Sequence, residues 1–136
     1  MDLAFKSGEQ VMELLRRDIK PRDIITKDAI YNAFAVDMAL GGSTNSVLHL
    51  AAIAHEAGVS YPLSWVNEIS QATPHLCKLA PACHHHVEDL DAAGGIHAVM
   101  HEIADLLRPG VMTVSTTTVG ELVKSFTVKN RDVIRS

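Results

Sequence analysis

Residues 35–58 constrain this chain more than any other stretch. They read Ala-Val-Asp-Met-Ala-Leu-Gly-Gly-Ser-Thr-Asn-Ser-Val-Leu-His-Leu-Ala-Ala-Ile-Ala-His-Glu-Ala-Gly. An apolar helix runs into a Gly-Gly break, a Ser-Thr-Asn cluster restarts the chain, and a second helix follows. After its first turn, only His49, His55 and Glu56 interrupt the apolar surface of that second helix. A helix that is apolar on nearly every side is buried on nearly every side. A chain of 136 residues has few helices with which to surround one. The expectation is therefore self-association through exposed apolar surface, or membership of something larger.

Aromatic residues make up only 4 % of the chain, so the core must come from Leu, Ile, Val, Ala and Met. That composition favours helices over a β-sandwich. The length suits one ordinary domain. A net charge of −4 gives no reason to expect a nucleic-acid partner. No apolar run approaches the roughly 18 residues of a membrane span, and the first residues lack a signal-peptide pattern. The two cysteines, Cys77 and Cys83, do not make a disulfide framework. Reduced thiols and a cytoplasmic location are expected.

Periodicity predicts an amphipathic helix over residues 7–18, ended by Pro21, which disfavours helix at the residue before it. Thr26 is a candidate N-cap for a helix over residues 27–40, with Asp28 in the first turn. Its core face should carry Ile30, Ala33, Phe34, Met38 and Leu40. The next helix spans residues 44–57, with Gly58 as its C′ residue. Ser64 is a candidate cap for a helix over residues 65–72. A short strand is expected within residues 73–81, and a helical turn or two over residues 87–93. A helix over residues 96–107 should bury Val99, Met100, Ile103 and Leu106. Residues 111–114 look strand-like, residues 119–126 form a short helix, and the polar tail from residue 127 reads as a linker. The fold class expected is mainly α, with one to three short strands.

Three constellations could carry chemistry. In Gly41-Gly-Ser-Thr-Asn45, donors at a helix N-terminus suit a carboxylate or phosphate. The plain alternative is a well-capped turn between helices. Asp37, in the preceding apolar helix, reads as a structural carboxylate that accepts hydrogen bonds from the donors of residues 43–45. The second constellation is histidine. His84, His85, His86, His97 and His101 fall in one segment with Cys83. His97 and His101 share a helix face, and Cys83 adds a thiolate, which is a combination zinc uses. An exposed helix face beside a solvated loop is the bland alternative. The third is nucleophilic catalysis by Cys77 or Cys83. Neither lies in a nucleophile motif, and a free cysteine is usually a small core residue.

Beyond these local readings, the chain resembles one family along nearly its whole length: the dihydroxy-acid and 6-phosphogluconate dehydratases. The resemblance rests on Asp18-Ile-Lys-Pro-Arg-Asp-Ile24, the Gly-Gly-Ser-Thr-Asn helix pair of residues 35–58, Pro74-His-Leu-Cys77, Glu88-Asp-Leu90, Ala93-Gly-Gly-Ile96 and Val128-Lys-Asn-Arg-Asp-Val-Ile-Arg135. These occur in the family's order and spacing, and the wording is closest to the dihydroxy-acid branch. The resemblance implies a hydro-lyase that converts a 2,3-dihydroxy acid to a 2-oxo acid in branched-chain amino-acid synthesis. It also implies an iron–sulfur cluster as Lewis acid, a magnesium ion that orients the carboxylate, and a serine base.

The family's cluster cysteines and metal motif precede the matched segments, and its serine base follows them. The resemblance thus implies an internal fragment from the end of an α/β N-terminal domain, inactive alone and holding neither cofactor. Residues 1–127 would complete that domain, and residues 128–136 would lead toward a β-rich C-terminal domain. No catalytic residue is expected in this span, and Gly42, Ser43, Thr44 and Asn45 are the substrate-proximal candidates. Cys83-His-His-His86 stands where the family has a Gly-Lys-Tyr-like loop, so Cys83, His97 and His101 are candidates only for adventitious metal. A sugar-acid dehydratase of the same family is one rival reading. A stand-alone helical module that binds metal or a partner protein is another.

Overall fold

The computed structural model describes residues 2–136. Among these the helices are α1 (Asp2–Arg16), α2 (Pro21–Ile24), α3 (Lys27–Leu40), α4 (Thr44–Ala57), α5 (Trp65–Ala72), α6 (Val87–Ala92), α7 (Gly95–Glu102) and α8 (Val119–Leu122). Two 3₁₀ turns, Ala104–Leu106 and Val123–Ser125, continue α7 and α8. The expected strands reduce to two isolated antiparallel bridges, Cys77 with Ile134 and Met112 with Thr118. No sheet forms among the described residues, because each extended segment meets its partner at a single residue.

The two central helices begin and end where their capping chemistry predicts. Thr26 Oγ1 accepts from the Ala29 N–H at 3.2 Å, and α3 closes on Gly41 at φ 76°. Ser43 Oγ accepts from the Asn45 N–H at 3.3 Å, and α4 closes on Gly58, also at φ 76°. Other boundaries differ. Helix α1 starts at Asp2, and Ser7 lies inside it, its hydroxyl donating back to Leu3 O at 2.8 Å. Pro21 opens the one-turn helix α2 as its first residue, where a missing N–H is harmless. Ser64 makes no side-chain capping bond, since its own backbone is already helical at φ −55°, ψ −26°.

Helix α3 is the centre of the core. Phe34, Ala35 and Ala39 are sealed from solvent, joined by Ile30. Ala33, Met38 and Leu40, expected inside, are only half-buried. An aromatic group ties α5 to α3: the Tyr31 ring meets Trp65 edge-on at 5.4 Å, and Phe34 meets Tyr61 at 5.5 Å. Such edge contacts match the positive rim of one ring to the negative face of the other. The Arg108 guanidinium lies 4.3 Å over Tyr31. On α7 and the turn after it, Ala98, Val99, Ile103 and Leu107 are buried, while Met100 and Leu106 are half-buried.

Asn32 is the buried polar residue of this core, at 5 % exposure. Its Oδ1 accepts from the Arg108 N–H at 2.7 Å, and its Nδ2 donates to Arg108 O at 3.0 Å. One amide thus satisfies both backbone groups of a loop residue and pins that loop to α3.

Helix α4 carries the exposed apolar surface that the shortage of covering helices predicts. Only Ala54 is buried, while Leu48 is 68 % and Ile53 is 45 % exposed. Helix α1 is amphipathic yet buries none of its residues, leaving Leu3, Phe5, Val11 and Leu15 exposed. Burial demanded by the pattern is thus unmet within this chain.

The tail also differs from a free polar linker. Val133 and Ile134 are buried. The Lys129 N–H donates to Ala93 O at 2.8 Å, and the Arg135 N–H to Leu76 O at 3.1 Å. Arg131 grips Glu102 through two bonds of 2.6 and 3.0 Å. Gly94 makes the approach possible. Its φ is +121°, and a Cβ there would lie 2.6 Å from Ala98 Cβ and 2.9 Å from Thr127 O.

Unfolding free energies of three variants test this packing. Asn32→Ala should cost about 1–3 kcal/mol, because it strands the Arg108 amide and carbonyl. Gly94→Ala should cost a similar ~1–3 kcal/mol from backbone strain alone. Gly110→Ala should be near neutral, since nothing lies within 4 Å of a Cβ there. A Gly94 variant as stable as the Gly110 variant would contradict the positive φ at Gly94.

Candidate functional site

The junction between α3 and α4 follows from its residue types. Gly41 takes the left-handed conformation that ends α3, and its N–H donates to Asp37 O and Met38 O. The His75 ring lies so close over Gly41 that any side chain there would collide with it. Gly42 is equally confined, because a Cβ would strike the Asp37 carboxylate. The two glycines therefore let the chain fold back tightly against α3 and a histidine. The next three residues, Ser43, Thr44 and Asn45, are exposed at the amino end of α4, where unpaired N–H groups and the helix dipole favour an anion.

Asp37 is half-buried beneath Gly42. It does not accept hydrogen bonds from Ser43, Thr44 or Asn45, as the sequence suggested. Ser43 spends its hydroxyl oxygen on the Asn45 N–H instead, and Gly42 stands between Asp37 and that cap. Asp37 and Leu40 instead form a wall shared by two grooves. One, of about 660 Å3, is mostly apolar and is bordered by His49, Leu50, Met100 and Val111. The other, of about 440 Å3, runs past Gly42 and His75 to Ala80 and Val87.

The expected grouping of Cys83 with His97 and His101 does not form. His97 stacks on Phe126 at 4.4 Å, and His101 Nδ1 lies 2.8 Å from Val123 O. Both rings are engaged with the turn that follows α8. Cys83 gathers instead with His84 and His85, all three ligand atoms lying within 4.8 Å of one another. Sequence reasoning missed this set and the placing of His75. The signal available was the Cys-His-His run itself, which gives no ring orientation.

The donor chemistry does not suit an iron–sulfur cluster. Such clusters take several thiolates; here Cys77 is enclosed and burial pushes its thiol pKa up, favouring the protonated form. Cys83 has imidazoles rather than a second thiol beside it. A magnesium site needs clustered oxygen ligands, and Asp37 is a lone carboxylate between apolar walls.

These features define a helical domain segment with a polar helix junction beside two grooves. Its family follows from sequence comparison: residues 1–122 match the N-terminal model of the dihydroxy-acid/6-phosphogluconate dehydratases, and the chain belongs to that family. It is similar to the dihydroxy-acid dehydratase of Carboxydothermus hydrogenoformans, 58 % identical over 98 % of this chain and 24 % of the relative. The dihydroxy-acid dehydratase of Acetivibrio thermocellus is 56 % identical and that of Caldanaerobacter subterraneus 54 %, with the same coverage. The chain spans about a quarter of the length of the curated relatives it matches. No helix among the described residues is long and apolar enough to cross a membrane.

The difference between the two thiols is directly measurable. Alkylation of the folded chain at neutral pH should modify Cys83 first and leave Cys77 protected until denaturant is added. Equal rates at both positions in the folded chain would show that Cys77 is not enclosed.

Proposed function

We propose that this chain is a segment of a dihydroxy-acid dehydratase, a hydro-lyase acting on 2,3-dihydroxy acids in branched-chain amino-acid synthesis. The observation that carries the reading is its 50–58 % identity to enzymes of that name along 98 % of its length. In this reaction the substrate loses its C2 proton and its C3 hydroxyl as one water, and the resulting enol becomes the 2-oxo acid. Relatives at 52–58 % identity carry the dihydroxy-acid name, which favours that branch over a sugar-acid dehydratase.

In this reading the segment positions rather than reacts. Residues 1–127 complete the N-terminal domain, and residues 128–136 lead toward the next. The iron–sulfur cluster, the magnesium ion and the serine base implied by the resemblance are supplied from outside this span, in a cytoplasmic enzyme. The open faces of α4 and α1 support this, because Leu48, Ile53, Phe5 and Leu15 need a covering that this chain does not supply. The remainder of the enzyme is the natural cover; the isolated chain would associate with itself. Gly42, Ser43, Thr44 and Asn45 lie nearest the substrate in this proposal, with Ser43–Asn45 offering donors to its carboxylate.

A chimera tests both parts. Replacing the matching segment of a full-length dihydroxy-acid dehydratase with this chain should preserve dehydration of a branched 2,3-dihydroxy acid, while the chain alone should show none. Activity only toward sugar acids, or turnover by the isolated chain, would overturn the assignment. Within the chimera, Asn45→Ala should lower kcat/KM by about tenfold or more, a loss of about 1.4 kcal/mol of transition-state binding. Full activity at unchanged stability would remove Asn45 from the site.

A further inference from the structure

The loop before α6 is built around backbone bonds that fix its shape. The Ala80 N–H donates to His85 O at 2.7 Å, and the Ala82 N–H to Leu79 O at 2.9 Å. The first turn of α6 is fastened to the same loop, because Asp89 Oδ2 accepts from the His86 N–H at 2.7 Å. Within this frame Cys83 Sγ stands 3.5 Å from His84 Nδ1. The His85 ring tilts against that of His84, with centroids 4.1 Å apart. One ligand atom from each of the three residues falls inside a 4.8 Å circle. His86 turns away, its Nδ1 lying 2.9 Å from His84 O.

We infer that Cys83, His84 and His85 form a binding site for a zinc ion. One thiolate and two imidazoles are a soft-to-borderline donor set that selects zinc over magnesium or calcium. Tetrahedral zinc holds such ligand atoms about 3.3–3.8 Å apart, given bonds of about 2.0–2.3 Å. The observed spacing, up to 4.8 Å, must tighten by about an ångström when the ion binds. Asp89 Oδ2 lies 4.0 Å from His85 Nδ1. At that distance, and with this oxygen already accepting from the His86 N–H, the carboxylate acts on His85 through its charge and not through a hydrogen bond. The fourth position is open to water, since Cys83 and His85 are only partly buried and His84 is exposed.

The effect of the ion is mechanical. It ties three consecutive residues of this loop to one another. The same loop supplies Ala80 and Ala82 to the groove that Gly42 and His75 border, so the ion stiffens one wall of that groove. None of this depends on the reaction assigned to the family.

Cobalt(II) is a suitable probe, because a thiolate ligand gives it a charge-transfer absorption that nitrogen and oxygen ligands do not. Titration of the full 136-residue chain should reach one cobalt per chain with that band present, and zinc should displace it. Cys83→Ser should abolish the band, and His84→Ala and His85→Ala should each weaken binding by tenfold or more. Asp89→Asn keeps the helix cap but removes the charge, and should weaken binding less than loss of either histidine does. His86→Ala and the His97→Ala/His101→Ala double variant should bind as the parent does. Helix content by circular dichroism confirms that each variant is folded. Cobalt uptake without the thiolate band, uptake unchanged in Cys83→Ser, or loss in the His97/His101 variant would each overturn the site.

Discussion

Everything in this chain is arranged on α3, and α3 is held by what it excludes. Phe34, Ala35 and Ala39 are fully enclosed, so α4, α5 and α7 must each present a face to it. Small residues at positions 35 and 39 let those partners come close, and Phe34 fills the space that remains. Enclosure of this kind tolerates a polar group only when it is answered. Asn32 meets that condition by engaging both backbone groups of Arg108. The hydrophobic contacts supply most of the stabilisation; the amide decides which loop sits there.

The sequence made the helices legible because their determinants are local. Thr26, Gly41, Ser43 and Gly58 bound α3 and α4 through bonds reaching only a few residues. The tail was not legible, because its partners are distant: Lys129 is answered by Ala93, and Arg135 by Leu76. A polar run such as Lys129-Asn-Arg-Asp132 looks like a linker until those partners are known. The apolar run of α4 was legible as well, but how much of it is covered was not: the neighbouring helices enclose Ala54 and leave Leu48 and Ile53 open.

The candidate site was half-legible on the same grounds. The Gly-Gly-Ser-Thr-Asn run announces a tight helix junction, and the junction is there. The role given to Asp37 depended on whether a side chain or a glycine lies above it, and it is Gly42 that does. Likewise, helical spacing grouped His97 with His101 correctly as neighbours on α7. Their rings are claimed by Phe126 and by the Val123 carbonyl, which no spacing rule anticipates.

The docked tail has a consequence for how this sequence can change over time. Arg135 bonds to Leu76, and the N–H groups of Leu76 and Cys77 both donate to Ala39 O, just before the glycine junction. The final residues are thereby wired, through one extended segment, to the pair of glycines that aims the start of α4. The link is made entirely of main-chain bonds, so it leaves side-chain identity at positions 76, 77 and 135 open and forbids only proline, which would remove the donor on which it depends.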